Sequence, residues 1–246
     1  MAKLYILGLG VDAEHHATVE VLQAMGECGK VFACGQTAAQ LSFLKRFCAK
    51  GALTVVDDER SAAAKIGKEL AAGKVVGLAT PGHPFYWSAL AGKLACEASA
   101  KSVEWKTFGS ISPMGVAISA AGVTLGVDIF GLQSFEAAAL AGKRAVVNPE
   151  WPVILHFYPP FTKANYDGAV ARLKSLFGAD HPARWCWADK SEETTVAALP
   201  ASFSKAGLGV VLYLAAKTAP ASKTGWMNDS LGKVTKDTRA PEWVKE

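Results

Sequence analysis

The residues with the clearest chemical potential form a short segment, Pro81-Gly82-His83-Pro84, which is followed by the aromatic residues Phe85, Tyr86 and Trp87. Only Thr80 separates the segment from the apolar run KVVGLA, which ends at Ala79. Two prolines fix the local backbone, and the glycine between them lets another group approach it closely. The pattern predicts either a rigid corner of the core or a lip that is shaped for a ligand. His83 is expected to hold this turn by hydrogen bonds rather than to act as a base.

A second glycine-rich segment, LGLGVDA, places Gly8 and Gly10 at the end of the first predicted strand. With Ala13 three residues later, the spacing formally fits the dinucleotide-binding fingerprint. Asp12 and Glu14 argue against that function, because acids near the loop would repel a pyrophosphate. The polar residues are also expected to delay the following helix. We therefore do not favour a nicotinamide or flavin enzyme, although the glycines indicate that some group approaches the backbone closely.

The histidines and cysteines do not form a metal-binding pattern. His15 and His16 are adjacent, so their side chains point in different directions. His83, His156 and His181 fall on separate elements, and the five cysteines include no Cys-x-x-Cys pair. We interpret the cysteines as small buried apolar residues in a reducing compartment. The sequence therefore predicts no metal.

Composition limits the class of protein. The chain has 246 residues, of which 50% are hydrophobic and 20% charged, enough for one large domain or two smaller ones. The formal net charge of +4 is small, and bases are interspersed with acids, so we expect no nucleic-acid partner. No apolar run reaches the ~20 residues that cross a bilayer, and the first residues lack a signal-peptide pattern. We predict no membrane association and a cytoplasmic location.

Strand-like runs alternate with helical periods in the first half, which predicts an α/β fold with a largely parallel sheet. The predicted strands are 3–9, 30–34, 53–56, 74–79 and 102–107. The predicted helices are 17–28, 37–47, 60–72, 84–99 and 113–121.

Three glycines, at positions 122, 126 and 131, predict a connection to a second domain. Strands are predicted there at 153–158, 184–188 and 209–215. One helix is predicted from apolar residues at helical spacing, namely Tyr166, Val170, Leu173 and Phe177. We predict an N-terminal Rossmann-like domain at 1–122, a C-terminal α/β domain at 123–217 and a C-terminal extension at 218–246.

Several segments, taken in order, resemble the tetrapyrrole methylase superfamily of S-adenosylmethionine-dependent methyltransferases. They are LYILGLGVDAEHHATVEVLQAMGECGKVFACG, VVGLATPGHPF and GSISPMGVAISAAGV, and the likeness extends from about residue 3 to about residue 217. The Gly-His-Pro variant of the second segment is similar to that of the borosin peptide-backbone N-methyltransferases. The segments GLQSFEAAAL and YLAAK also resemble borosins.

The resemblance implies a tetrapyrrole methylase-like fold of two α/β domains, with S-adenosylmethionine bound in a folded shape in the cleft between them. Carried over motif by motif, it implies cofactor contacts at Gly10, Gly82, His83, Pro84, Tyr86, Ser112 and Phe157 or Tyr158. It also implies a homodimer, for which the segment QSFEAAAL is expected to supply an apolar helix.

Catalysis is predicted to involve Arg60 and Tyr86. Arg60 stays cationic and would stabilise an oxyanion of the substrate, whereas Tyr86 would position the cofactor. The helix that carries Arg60 lacks the tyrosines of borosins, and the residue before Gly82 is Pro81. The substrate therefore stays open between a separate peptide and a tetrapyrrole or another small molecule. A third possibility is a cofactor-binding protein of this fold without turnover.

Overall fold

The computed structural model describes residues 1–56, 59–86, 88–122, 131–142, 145–158, 161–188, 190–207 and 209–217. For Glu59 and Arg60 it describes the backbone alone. The predictions made for Trp87, for the glycine at position 126 and for the C-terminal extension at 218–246 lie outside these residues.

The first half forms a five-stranded parallel sheet with the order β3-β2-β4-β1-β5. Its strands are β1 (Lys3–Gly8), β2 (Lys30–Cys34), β3 (Leu53–Val56), β4 (Val75–Thr80) and β5 (Glu104–Phe108). Each lies within two residues of its predicted position. The central strands are almost continuously apolar and buried, as expected for a parallel sheet covered on both faces.

Six helices are formed by the described residues of this half. They are α1 (Ala13–His16), α2 (Val19–Glu27), α3 (Ala38–Leu44), α4 (Glu59–Ala71), α5 (Ala89–Ala100) and α6 (Pro113–Ala121). The prediction that polar residues delay a helix after the glycine loop is wrong, because Asp12 caps α1 by accepting the Glu14 N–H at 3.1 Å. The helix predicted from residue 84 begins only at Ala89, where Ser88 is the N-cap.

The second half forms a mixed sheet with the order β6-β7-β10-β8-β9, in which β6 and β7 are parallel and the other pairs are antiparallel. Its elements in chain order are β6 (Gln133–Glu136), α7 (Ala137–Ala141), β7 (Val153–His156), α8 (Lys163–Phe177), β8 (Pro182–Cys186), β9 (Ser191–Thr195), a 3-10 segment (Val196–Lys205) and β10 (Val211–Leu214). The four apolar residues predicted on one helix face are all buried on α8.

The segment QSFEAAAL differs from its prediction as a single helix. Its first half is the strand β6, and only Ala137–Ala141 is helical. Ala137 and Leu140 are fully buried in the core that also contains α8 residues. These two side chains are therefore used inside the subunit, and the homodimer stays a prediction.

Helix α6 follows the first sheet in sequence but packs against the second sheet. Its buried residues Val116, Ala117 and Ala121 share an apolar cluster with Ile154 of β7 and Val211 of β10. Pro113 begins the helix, and Gly122 ends it in the left-handed conformation. The start of α6 therefore lies in the cleft between the two sheets.

Two properties expected from composition can be compared with the described residues. None of the helices in these ranges combines the length and apolar character needed to cross a bilayer. No disulfide joins the five cysteines, all of which are described. Cys28 and Cys186 are buried as expected, whereas Cys96 is exposed.

Candidate functional site

The lip, defined as Pro81 to Tyr86, leaves the first sheet at the carboxyl end of β4. Strand β1 ends beside it, with Gly8 opposite Thr80 in the parallel register. The glycine loop after β1 and the lip therefore emerge side by side. In parallel α/β sheets this edge is where ligands bind.

Gly10 and Gly82 join these two loops through their backbones. The Gly82 N–H donates to the Gly10 carbonyl at 2.8 Å, and the reciprocal N–H to O distance is 3.3 Å. Their φ angles are +74° and +66°, in the left-handed region that glycine adopts without the steric cost of a side chain. The pairing fixes the position of the lip relative to β1.

The groups that approach the glycine loop closely are parts of the protein itself. A Cβ atom on Gly10 would lie 2.1 Å from the Cβ of His16, and one on Gly8 would lie 2.6 Å from Cδ of Pro84. The expectation of a close approach is confirmed, with the lip and α1 as the approaching groups. Because Gly82 uses both the N–H and the carbonyl of Gly10, the predicted contact of Gly10 with a cofactor stays a prediction.

His83 closes the turn of the lip. Its ring Nδ1 accepts the Phe85 N–H at 3.3 Å, and its carbonyl accepts the Tyr86 N–H at 2.9 Å. The expected hydrogen-bonding role of His83 in the loop is thereby confirmed. This turn also explains why Pro84 is not part of α5, because residues 83–86 are held in a compact non-helical loop.

The two described aromatic residues of the lip point to different surroundings. The Phe85 ring is 46% exposed and makes an edge contact with Trp105 of β5, with 6.3 Å between ring centroids. Tyr86 instead reaches the second sheet, where its ring lies edge-on to His156 at 5.3 Å. The predicted aromatic wall is therefore divided between the two sides of the lip.

The Tyr86 hydroxyl forms a polar cluster with Ser134 of β6 and His156 of β7, which we call the hydroxyl–imidazole cluster. Three distances are each 2.8 Å: Tyr86 Oη to His156 Nε2, Tyr86 Oη to Ser134 Oγ, and Ser134 Oγ to His156 Nε2. Two of its members belong to the second sheet and one to the lip. The cluster thus connects the lip to the second half of the chain.

Burial controls the charge of this region. His156 is only 1% exposed, and this burial lowers the pKa of its imidazole to about 4. The ring is therefore neutral at pH 7. Burial likewise raises the pKa of the neighbouring Tyr158, so that its phenol also stays neutral.

A cavity of about 90 Å³ lies between the lip and the second sheet. It is lined by Val11, Gly35, Thr37, Gln40, Pro81, Gly82, Pro113, Tyr158 and Gly209.

The structure distinguishes Phe157 from Tyr158, the two alternatives that the sequence left open at the end of β7. Tyr158 lines the cavity, whereas Phe157 is 2% exposed and packs in the second core, because successive side chains of an extended segment point to opposite faces. The predicted side-chain contact of Phe157 with a cofactor is not supported.

The surroundings of this cavity fit S-adenosylmethionine, the cofactor implied by the resemblance. Two residues of its lining, Thr37 and Gln40, carry polar side chains at the start of α3. A Cβ atom on Gly82 would approach Cδ of Pro113 to 3.1 Å, so only glycine keeps this wall open. Polar side chains beside a bare backbone suit a ligand with amino and hydroxyl groups. Gly82, Tyr158 and these two polar side chains are the residues that would hold it.

A second, more open groove of about 370 Å³ borders the same helix, α6. Its walls include Ile111, Trp187, Lys190 and His16. The Lys190 ammonium lies 5.2 Å from the centroid of the Trp187 ring. The Asp12 N–H donates to Nδ1 of His16 at 3.2 Å, which leaves Nε2 as the nitrogen that carries hydrogen in the neutral ring. The groove therefore offers an aromatic wall together with hydrogen-bond donors.

Two further predicted site residues, Ser112 and Arg60, are not among the described residues that line the cavity. Ser112 is the N-cap of α6, where its hydroxyl accepts the Gly115 N–H at 3.2 Å. It adjoins Pro113 of the cavity lining. The backbone of Arg60 lies at the start of α4, at the carboxyl edge of the first sheet, whereas its side chain lies outside the described residues.

Sequence reasoning missed Ser134 and His156. A signal existed for His156, which is the one polar residue in the buried strand VILH. A buried polar side chain in such a strand needs a hydrogen-bond partner. Nothing in the segment QSFE identifies Ser134 as that partner, because the two residues meet only through the pairing of β6 with β7.

Comparisons with known proteins agree with this architecture. The chain overlays a uroporphyrin-III C-methyltransferase from Thermus thermophilus with a TM-score of 0.67 at 18% identity, covering 90% of this chain and 98% of that one. A conserved hypothetical protein from Aeropyrum pernix K1 gives a TM-score of 0.70 at 13% identity, with coverages of 97% and 91%. For a cobalt precorrin-4 methyltransferase, the TM-score is 0.64 at 15% identity, with coverages of 89% and 96%.

Sequence comparison gives a family assignment. No curated protein matches the chain by sequence. The sequence profile described as Tetrapyrrole (Corrin/Porphyrin) Methylases matches residues 3–197, which include the lip, the hydroxyl–imidazole cluster and most of both sheets. The chain therefore belongs to the tetrapyrrole methylase family, whose members use S-adenosylmethionine as methyl donor.

Proposed function

We propose that this protein is an S-adenosylmethionine-dependent methyltransferase that binds its cofactor in the cavity between the lip and the second sheet. The observation that carries the proposal is the backbone pairing of Gly10 with Gly82. This pairing holds one wall of a cavity whose opposite wall, Tyr158 and Gly209, belongs to the second half of the chain. A cleft built from both halves can enclose a folded ligand on two sides.

The chemistry requires orientation more than covalent participation by the protein. When bound, the cofactor would supply an electrophilic methyl group on a sulfonium sulfur, whose carbon the acceptor attacks in line while the sulfur leaves as a neutral thioether. The chain must hold the acceptor and the methyl carbon ~3 Å apart and aligned. The lip supplies a rigid backbone for this purpose, and the neutral His156 adds no cation that would repel a sulfonium.

We propose a tetrapyrrole or another anionic small molecule as the methyl acceptor. The groove beside α6 supports this class, because Trp187 and Ile111 suit a planar ring system and Lys190 suits a carboxylate. Electron-rich ring carbons are nucleophilic without a strong base, which agrees with the weak basicity of the buried His156. Two of the similar structures are named as methyltransferases of uroporphyrin-III and of cobalt precorrin-4.

A separate peptide is the second candidate acceptor, in line with the borosin-like lip. Strand β6 is an edge strand of the second sheet among the described residues, and an extended peptide can add to such an edge. A backbone amide is a poor nucleophile, however, and must lose its proton. His156 is a weak base, so this reaction would depend on Arg60 to stabilise the resulting oxyanion.

Calorimetric titration with S-adenosylhomocysteine tests the cofactor site. We expect wild-type protein to bind it and Gly82→Ala to bind at least tenfold more weakly, because a methyl group would crowd Pro113 and disturb the pairing with Gly10. Gly73→Ala is the matched control, since Gly73 has a φ of +80° but open space around its Cβ position. Absence of wild-type binding to either S-adenosylmethionine or its demethylated product at millimolar concentrations would overturn the proposal.

Mass spectrometry with S-adenosylmethionine and candidate acceptors tests turnover. Methylation of a tetrapyrrole but not of peptides is the expected result. Methylation of a peptide backbone would favour the second candidate. Tight cofactor binding without transfer to either class would identify a cofactor-binding protein that lacks turnover.

We also propose that the protein is a homodimer, as the family resemblance implies. Ala137 and Leu140 of α7 are buried inside the subunit, so the interface would use other side chains. Light scattering that gives only the mass of a monomer would contradict the dimer and would leave the proposed chemistry intact.

A further inference from the structure

The lip is attached at its two ends to different halves of the molecule. At its first end, Gly82 pairs with Gly10 of the first half. At its second end, the Tyr86 hydroxyl lies 2.8 Å from both Ser134 and His156 of the second sheet. The shape of the lip therefore depends on how the second sheet holds Tyr86.

We propose that Ser134 and His156 are positioning residues that hold the Tyr86 end of the lip and thereby set the width of the cofactor cavity. This inference rests on the proposed function, because it concerns the site in which the cofactor is expected to bind. His156 ends β7, and Tyr158 of the cavity lining follows two residues later with its ring stacked over the His156 ring at 6.1 Å. The same short segment thus carries both the attachment point of the lip and the opposite wall.

The two hydroxyls of the cluster are not equivalent, although both reach His156 Nε2. Loss of the Ser134 hydroxyl leaves the bond between Tyr86 and His156, so the lip stays attached. Loss of the Tyr86 hydroxyl leaves His156 bonded to Ser134 and removes both hydrogen bonds between this hydroxyl and the second sheet. This distinction holds for either tautomer of the ring, since each hydroxyl can donate to the ring nitrogen or accept from it.

The test is the affinity for S-adenosylhomocysteine, measured by calorimetry on the full chain. We expect Tyr86→Phe to bind about tenfold more weakly, as loss of one lip-holding hydrogen bond implies, and Ser134→Ala to change affinity by less than about threefold. A purely structural effect is separated by Tyr166→Phe. Tyr166 is a buried tyrosine whose hydroxyl donates to the Leu199 carbonyl at 2.6 Å in the second core. This variant should lower the melting temperature and leave the affinity unchanged.

Two substitutions of His156 provide an independent comparison. His156→Gln places a polar amide near the position of Nε2 and should keep affinity within about threefold, whereas the double variant Ser134→Ala/His156→Leu removes both partners of the Tyr86 hydroxyl and should weaken affinity about tenfold. This pair also replaces Tyr86→Phe if that variant does not fold.

The outcomes separate this inference from the proposed function. If wild-type protein fails to bind, the proposed function fails. If wild-type protein binds and either Tyr86→Phe or Ser134→Ala/His156→Leu binds equally well, the positioning role is wrong and the proposed function stands. An equal loss of affinity in Tyr166→Phe would also overturn the positioning role, because the effect would then reflect general destabilisation.

Discussion

The two sides of the cleft are built by different means. On the side of the first sheet, backbone meets backbone, since Gly10 pairs with Gly82. On the side of the second sheet, side chains converge, since Ser134 and His156 meet the hydroxyl of Tyr86. The first side depends on the absence of side chains at two positions, and the second depends on the presence of hydrogen-bonding groups.

Strand arrangement explains the difference. In the first sheet, the parallel neighbours β1 and β4 deliver two loops to the same edge. In the second sheet, Ser134 pairs with Ile154 and Glu136 with His156, so Ser134 and His156 are diagonal neighbours on one face of the sheet. We therefore expect the glycines of the first side to tolerate no added side chain. Residues of the second side should tolerate replacement by another side chain that forms the same hydrogen bonds.

The largest expected effect is at Gly10. Gly10→Ala should lower the free energy of unfolding by about 4 kcal/mol, because its new methyl group would overlap His16 at a backbone conformation that side chains rarely adopt. Urea unfolding measures the loss. Gly51→Ala is the control, since Gly51 has a φ of +76° and no atom within 4 Å of its Cβ position, and it should cost about 1 kcal/mol. Equal losses at the two sites would show that the first side is not sterically strict.

The next effect is a pH dependence that belongs to the second side. Burial lowers the pKa of His156 to about 4 from an ordinary value of 6.5. Between these two pH values the imidazole is protonated in the unfolded chain and neutral in the folded chain. The free energy of unfolding therefore falls as the pH is lowered from about 6.5 to about 4. The difference of about 2.5 pKa units corresponds to about 3 kcal/mol. Over this range the free energy of unfolding of the wild type should fall by about that amount more than that of His156→Gln. An equal pH dependence of the two proteins would contradict a neutral buried imidazole.

A third prediction concerns the one cation assigned to catalysis. Arg60→Ala should leave S-adenosylhomocysteine binding unchanged and slow turnover by ~100-fold on a validated acceptor, because the substrate oxyanion would lose its partner. Lys65→Ala, an exposed position on the same helix, is the matched control. Turnover of Arg60→Ala at the wild-type rate would remove Arg60 from the site and leave the peptide candidate without its catalytic residue.

The smallest effect is expected at Phe85, on the side of the lip that faces away from the second sheet. Phe85→Ser removes a half-exposed ring that contacts Trp105 and not the hydroxyl–imidazole cluster. Its affinity for S-adenosylhomocysteine should change by less than about twofold, a difference of ~0.4 kcal/mol. A larger loss, comparable to that of Tyr86→Phe, would mean that both aromatic residues of the lip contribute to the cavity.

The central strands of the first sheet were predictable because parallel strands buried on both faces are continuous apolar runs, as in the strand VVGLAT. Two strands of the second sheet were not. Strand β9, with the sequence SEETT, is a polar edge strand without an apolar face. Strand β6, with the sequence QSFE, continues directly into the alanine-rich α7, so its pattern is dominated by the helix that follows.

The sequence by itself determined the α/β class, the position of the lip and the membership of a methyltransferase family, because each of these depends on residues that are close together in the chain. Tertiary structure alone decided what the lip touches. Gly10 and Gly82 are separated by 72 positions, and Tyr86 and His156 by 70. Contacts at such separations arise from the order of strands in a sheet and the packing of one sheet beside another, and no local pattern of residue types encodes that order.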